Sequence, residues 1–346
     1  MEFFVGTYTS NPGANGRGIY HVRATADAID RAEVTLAAGL TNPSWLALSA
    51  DGRTLLAVEE HPRGKGASLC LLSVEGARLT LLARAALPGS DPCHIALHPT
   101  LPLAVTSHYS DGSIALWSLR PEGGGVPEPQ RLAFEGSGPD RERQEAPHAH
   151  FAGFLDGGRR LAVADLGADA VRFLDLVADG SGWRAEPAEV VALPPGSGPR
   201  HMVIAPDETV IHVACELDES VATLTRTASG WRCTGHLKVF DCRPGDGGAV
   251  SAIRRTADGF LLVGGRRQGE VARLRIGPDG LTVVDRTATG GDWPRDLALS
   301  PDGAILAAAN QRSDSVTLLA RDTSGALTPL PGAIPVGSPV AILFTG

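Results

Sequence analysis

Two histidines two residues apart, His148 and His150 in PHAH, stand just before a run of alternating apolar residues, HFAGFLDGGRRLAVADL. On an extended chain, side chains at i and i+2 point the same way. Such a pair can hold a metal, exchange protons with a substrate, or sit buried with its hydrogen bonds satisfied. Two more apolar runs open on a histidine, His94 in PCHIALH and His201 in PRHMVIA. Arginines occur beside similar runs, Arg200 in GPRH, Arg295 in WPRD and Arg266 in GGRRQG, and an acid, Glu216, in CELDES. Imidazole titrates near neutrality and suits proton transfer, whereas guanidinium grips carboxylate or phosphate in a bidentate fork. These residues are dispersed along the chain, so the fold decides whether they come together.

The chain has 346 residues, 43% of them hydrophobic and 20% charged, enough apolar material for a large core. A net charge of −8 leaves no electrostatic footprint for nucleic acid or an anionic membrane. The opening MEFFVGTYTS carries neither a basic region nor a long apolar one, so a cytoplasmic protein is expected. Cys70, Cys93, Cys215, Cys233 and Cys242 are odd in number and scattered, which favours reduced thiols over disulfides or a structural zinc site.

Glycine and proline, 42 and 25 residues, cluster between short β-type runs. Six segments repeat one plan of apolar strand, Asp-Gly-like turn, second strand, polar turn and third strand. Taking Trp45, His94, His150, His201, Ala252 and Asp296 as equivalent, the spacings are 49, 56, 51, 51 and 44 residues, the period of a propeller blade. The C-terminal GSPVAILF supplies one more first strand, and FFVGTYTS with RGIYHVRA supplies later strands. Residues near 1–24 and 339–346 are therefore expected to build a seventh blade, making residues 1–346 a single all-β, seven-bladed β-propeller domain closed by its N- and C-terminal strands. On that plan His94, His150 and His201 converge at one end of the central channel. The second turn of each blade adds Glu60, Tyr109, Asp165, Glu216, Arg266 and Asn310 near the same mouth.

The motifs VGTYT with RGIY, NPSWLALSADGRTLLAVEE, PHAHFAGF with VADLGADAV, GPRHMVIAP with CELDESV, and WPRDLALSPDGAILAAANQRSDSV together resemble the seven-bladed lactonase family. That family includes the propeller type of 6-phosphogluconolactonase and the fungal 3-carboxy-cis,cis-muconate lactonizing enzyme. The resemblance covers essentially the whole chain. It implies a metal-independent site, without cofactor, that opens or forms a lactone with a histidine, two arginines and a glutamate. By motif these are His150, Arg200, Glu216 and Arg266. Where the family reads Ser-Asn-Arg-Gly this chain has GGRRQG, which leaves Arg267 as the alternative to Arg266.

The residues make chemical sense of that implication. Opening a lactone needs a base for water, donors for the carbonyl oxygen and an anchor for an anionic substrate. His150 suits the base or acid, Arg200 and Arg266 the anion or oxyanion, and Glu216 the orientation of an arginine or of His150. His148, His94, His201 and Arg295 are expected to contact substrate. Trp45 and Trp293 are expected to pack. A metal held by His94, His150 and His201 is not expected, since carboxylates at calcium-ligand spacing are missing. The expected partner is a small anionic lactone, most simply 6-phospho-D-glucono-1,5-lactone. The alternatives are a muconate cycloisomerase or a propeller that binds without catalysis; a monomer or homodimer is expected throughout.

Overall fold

The computed structural model describes residues 1–119, 128–180, 182–241 and 248–345. Cys242, Gly346 and residues 121–127 of the PEGGGVPEP insertion lie outside the described residues.

Seven antiparallel sheets follow one another around a ring. Blade 1 joins the C-terminal strand Pro339–Phe344 to Glu2–Thr7, Ile19–Arg23 and Glu33–Ala38, so both ends of the chain share one sheet as expected. The inner strands of blades 2 to 7 are Pro43–Leu48, Pro92–Leu97, Ala149–Leu155, Pro199–Ile204, Val250–Arg255 and Pro294–Leu299. Each is followed outward by its own second strand, Thr54–Glu59, Leu103–His108, Arg160–Asp165, Val210–Cys215, Phe260–Gly265 and Ile305–Asn310.

Blades pack face to face, so the strands inside the ring are buried on both sides and read as nearly unbroken apolar runs. In Glu2–Thr7, Phe3 and Val5 pack on blade 7 against Ala307, Val316 and Leu318. Phe4, pointing the other way, packs on blade 2 against Leu46, Leu55 and Leu72. Period-two alternation thus serves two hydrophobic interfaces at once. The described cysteines Cys70, Cys93, Cys215 and Cys233 are free. Among the described residues no helix is long and apolar enough to cross a membrane.

One irregularity recurs in every blade. Pairing between inner and second strand slips by one residue near the start of the inner strand, for example from Pro43 opposite Glu59 to Trp45 opposite Val58. The same slip occurs at Pro92/His94, Ala149/Phe151, Pro199/His201, Val250/Ile253 and Pro294/Asp296, and in blade 1 opposite Gly6/Thr7. A β-bulge places one extra residue in one strand and re-aims its side chain. In five blades the residue before the strand's proline or glycine-proline turn takes a left-handed conformation, Asn42, Asp91, Gly198, Trp293 and Ser338, with φ between 42° and 63°.

Candidate active site

Two positions that recur from blade to blade supply most of the channel mouth. The first is the bulge residue of the inner strand. Ser44, Cys93, His150, Arg200, Arg295 and Val340 all occupy it, and all line a constriction in the channel together with Trp45, Glu60 and His201. The second is the residue just after the second strand. Its N–H donates to the carbonyl just before the inner strand: Tyr8 to Ser338, Glu60 to Asn42, Tyr109 to Asp91, Leu166 to His148, Glu216 to Gly198, Arg266 to Ala249 and Gln311 to Trp293, at 2.7–3.1 Å.

These positions correct the equivalence expected from the sequence. His94 and His201 pair opposite the second strand where Phe151 does, whereas His150 is a bulge residue equivalent to Arg200 and Cys93. His150 therefore faces the mouth. His94 and His201 instead pack in an aromatic cluster: His94 lies 4.4 Å from the Trp45 ring and 4.0 Å from that of Phe151, and His201 5.2 Å from Trp45. Asp165 and Asn310 end their strands one residue too early to reach the channel. Asp165 receives the Arg172 guanidinium at 2.8 Å and the His148 N–H at 2.8 Å, and Asn310 donates to Thr317 Oγ1 at 2.8 Å.

The mouth opens into a cavity of about 350 Å³ lined by Glu60, Asp91, Cys93, Tyr109, Ser110, Arg143, His150, Glu216, Arg266 and Arg295. Glu216 is its electrostatic centre. Its Oε1 accepts from Arg143 Nη2 at 2.7 Å, and its Oε2 meets Arg200 Nε at 2.9 Å and Arg266 Nη2 at 2.8 Å. Burial pushes this carboxyl up, but Arg266, Arg200 and Arg143 outweigh it and hold the group well below the usual carboxylate range. Burial and the Arg266 cation push the Arg200 guanidinium down to about 9, still charged at neutral pH. Burial also lowers Arg266.

His150 is 5% exposed, and its Nδ1 is buried without a hydrogen-bond partner among the described residues. Burial, and then Arg200, push its pKa well below 6.5, so the imidazole is neutral at physiological pH. Arg266 rather than the exposed Arg267 lines the cavity. It is anchored through Nε to the Ala249 carbonyl at 3.0 Å and lies 5.4 Å from the Trp293 ring. Arg295 donates to Tyr8 Oη at 2.7 Å, and Tyr8 donates onward to Glu60 Oε1 at 2.9 Å.

His148, expected to contact substrate, is 4% exposed and does not line the cavity. It stacks 4.4 Å from the Tyr109 ring, and its Nδ1 meets the Tyr109 carbonyl at 2.8 Å. Arg143, Tyr8, Asp91 and Cys93 were not nominated from the sequence. The signal for Cys93 and Tyr8 lay in the repeat, at the positions of Arg200 and Glu216. Arg143 comes from the segment before PHAH, where a turn capped by Asp140 Oδ1 carries it toward Glu216.

Among the described residues the metal-type grouping is Cys215, Asp218 and His236, and it includes none of His94, His150 and His201. Ser220 Oγ already bridges Asp218 at 2.6 Å and His236 at 2.7 Å, and blade 3 has the same clamp in Asp111, Ser113 and His108. A larger groove of about 560 Å³ lies outside the channel along His212, Thr223 and Leu281; its lining includes no arginine or lysine, so it cannot match the mouth as an anion site.

The sequence matches the profile of the family described as Lactonase, 7-bladed beta-propeller, over residues 2–344. It is 30% identical to a 6-phosphogluconolactonase of Bacillus subtilis, across 99% of this chain and 97% of that one. It is 26% identical to a 6-phosphogluconolactonase of Formosa agariphila, across 99% of each. The fold superposes on the periplasmic gluconolactonase of Pseudomonas aeruginosa with a TM-score of 0.88 at 27% identity, covering 100% of both chains. With its seven blades, terminal closure and full-length match, the chain belongs to the seven-bladed β-propeller lactonase family.

Proposed function

We propose that this protein is a lactone hydrolase that opens a sugar-acid lactone, 6-phospho-D-glucono-1,5-lactone, to 6-phosphogluconate at the channel mouth. The observation that carries the reading is a neutral, buried His150 with an unshared Nδ1 beside a carboxylate that gathers three arginines. The names of the relatives support the substrate.

The residues divide the chemistry as follows. His150 Nδ1 takes a proton from water as the water oxygen bonds to the lactone carbonyl carbon. Charge moves to the carbonyl oxygen, where the guanidiniums of Arg200 and Arg266 stabilise it. When the tetrahedral species collapses, the bond to the ring oxygen breaks and the imidazolium returns its proton to that oxygen, leaving a hydroxyl and a carboxylic acid that then loses its proton to solvent. Burial and Arg200 disfavour the imidazolium, which drives this return. Glu216 orients the arginines, and Arg143 reaches from its other side toward the substrate anion. Four guanidinium groups, of Arg143, Arg200, Arg266 and Arg295, face three carboxylates, of Glu60, Asp91 and Glu216, and the excess positive charge suits a phosphorylated substrate.

The mechanism routes no step through a metal, so exhaustive chelation is expected to leave the rate unchanged. Complete loss restored by one divalent ion would contradict it. The free thiols of Cys70, Cys93, Cys215 and Cys233 fit a reducing, cytoplasmic setting. The direct assay is formation of 6-phosphogluconate above spontaneous opening. A protein that binds the lactone but leaves the spontaneous rate unchanged would be a scaffold instead.

A further inference from the structure

The charged groups of the cavity are not mixed evenly around it. Arg200 and Glu216 belong to blade 5, Arg266 to blade 6, and Arg143 approaches from just before blade 4. Glu60 follows the second strand of blade 2, and Asp91 stands at the entrance to blade 3. In a ring of seven, blade 2 lies across the axis from blades 5 and 6. The guanidiniums of Arg143, Arg200 and Arg266 therefore gather on one wall, and Glu60 and Asp91 stand opposite, with Arg295 of blade 7 linked to Glu60 through Tyr8.

Glu60 is held firmly in that second wall. Its N–H donates to the Asn42 carbonyl at 3.0 Å, and Asn42 Nδ2 donates back to the Glu60 carbonyl at 3.2 Å. Asn42 is itself fastened to the N-terminal segment, its Oδ1 accepting from the N–H groups of Thr9 at 2.8 Å and Ser10 at 3.0 Å. One carboxylate oxygen, Oε1, is taken by Tyr8, which Arg295 fixes in turn. The other, Oε2, is buried and has no hydrogen-bond partner among the described residues. A buried acceptor left without a donor is costly, and Glu60 carries this one in the wall of a cavity large enough for a sugar-sized ligand. Glu60 lines both the cavity and the adjoining constriction, next to His150 in each.

We propose that Glu60 is a specificity-determining residue that accepts a hydrogen bond from a ring hydroxyl of the substrate, selecting polyhydroxylated lactones over lactones that carry carboxylates instead. The proposal rests on the lactonase reading above. A sugar lactone offers the donors at C2, C3 and C4 that Oε2 lacks, while its phosphate can face the arginines. A muconolactone offers carboxylates, which Glu60 and Asp91 repel. A site built to bond a hydroxyl also rejects an analogue lacking it, because its own polar group is then stranded.

The test is a cycle of enzyme and substrate changes. The native protein, Glu60→Ala and Glu60→Gln are assayed on 6-phospho-D-glucono-1,5-lactone and on its 2-deoxy, 3-deoxy and 4-deoxy forms, with folding checked by thermal melting. On the parent lactone, Glu60→Ala is expected to lower kcat/KM by about tenfold to a hundredfold, mainly through KM, the loss typical of a charged hydrogen bond. Glu60→Gln, which keeps an acceptor oxygen, should fall between. On at least one deoxy lactone the native enzyme should already show the loss, and Glu60→Ala should add little to it. Equal penalties from Glu60→Ala on all four lactones, or none on any, would overturn the proposal and leave the lactonase reading standing. An inactive native protein on the parent lactone would overturn both.

Discussion

Glu216 entered from the sequence with two roles open, orienting an arginine or raising the basicity of His150. Its contacts favour the first: both oxygens are occupied by Arg143, Arg200 and Arg266. Glu216→Gln would leave three guanidiniums crowded around a neutral group, and breaking a buried ion pair by removing one partner costs about 3–5 kcal/mol. The variant should therefore melt well below the native protein as well as lose activity; an unchanged melting temperature would mean that the arginines are not held this way. For His150 the consequence concerns pH. The base must be neutral to act, and its pKa lies well below 6.5 in the folded protein. The acid limb of kcat/KM, from initial rates on folded enzyme, should accordingly lie below pH 6.5. A limb at or above that value would assign it to a different group or show that the imidazole is better solvated. What the residue types revealed in the sequence was this chemistry. They did not reveal Arg143, whose place depends on the path of a loop rather than on the repeat.

At the scale of the strand, the bulge explains both what was legible and what was misread. Alternating apolar residues and Asp-Gly turns recur once per blade and give the period, so seven blades and terminal closure could be read directly. The extra residue falls at the second position of the inner strand, ahead of that alternation, and leaves no mark in it. The sequence alignment of PHAH is accordingly one position out, making His150 equivalent to His94 and His201, and it puts at the mouth Asp165 and Asn310, which stand one residue short of it. The same close fit between blades gives a test at this level. A Cβ on Gly6 would stand 2.1 Å from the Pro43 carbonyl oxygen, the point where blade 1 meets the bulged entrance of blade 2. Gly6→Ala should cost about 1–3 kcal/mol by overpacking, read as a fall in the denaturation midpoint. Retention of the native midpoint would show that this interface yields more readily than its packing implies.

Across the whole molecule, the packing of the blades buries titratable groups. His94, His108, His150, His201 and His212 all have pKa values lowered by burial, with His108 and His212 at about 4. Below about pH 6.5 the unfolded chain takes up protons that the folded one refuses, so stability falls with acidification, at about 1.4 kcal/mol per pH unit for each such histidine. The melting temperature should be nearly level from pH 8 to 7 and drop between pH 6.5 and 5, with a shallower drop in His212→Gln; a level profile through that window would mean that these rings protonate in place. Closure also brings Tyr8 from the N-terminal strand, Arg295 from blade 7 and Glu60 from blade 2 into one hydrogen-bonded line beside His150. The ring thus serves to bring bulge residues and strand ends to one point, and the claim on which everything else depends is that His150 moves the proton there. His150→Asn keeps the size and a polar end but cannot take a proton, and the measurement is its turnover of 6-phospho-D-glucono-1,5-lactone beside the native protein with matched melting curves. A fall in kcat of about 10²–10⁴-fold with KM little changed is the expected result; a folded His150→Asn protein that keeps native turnover would contradict it.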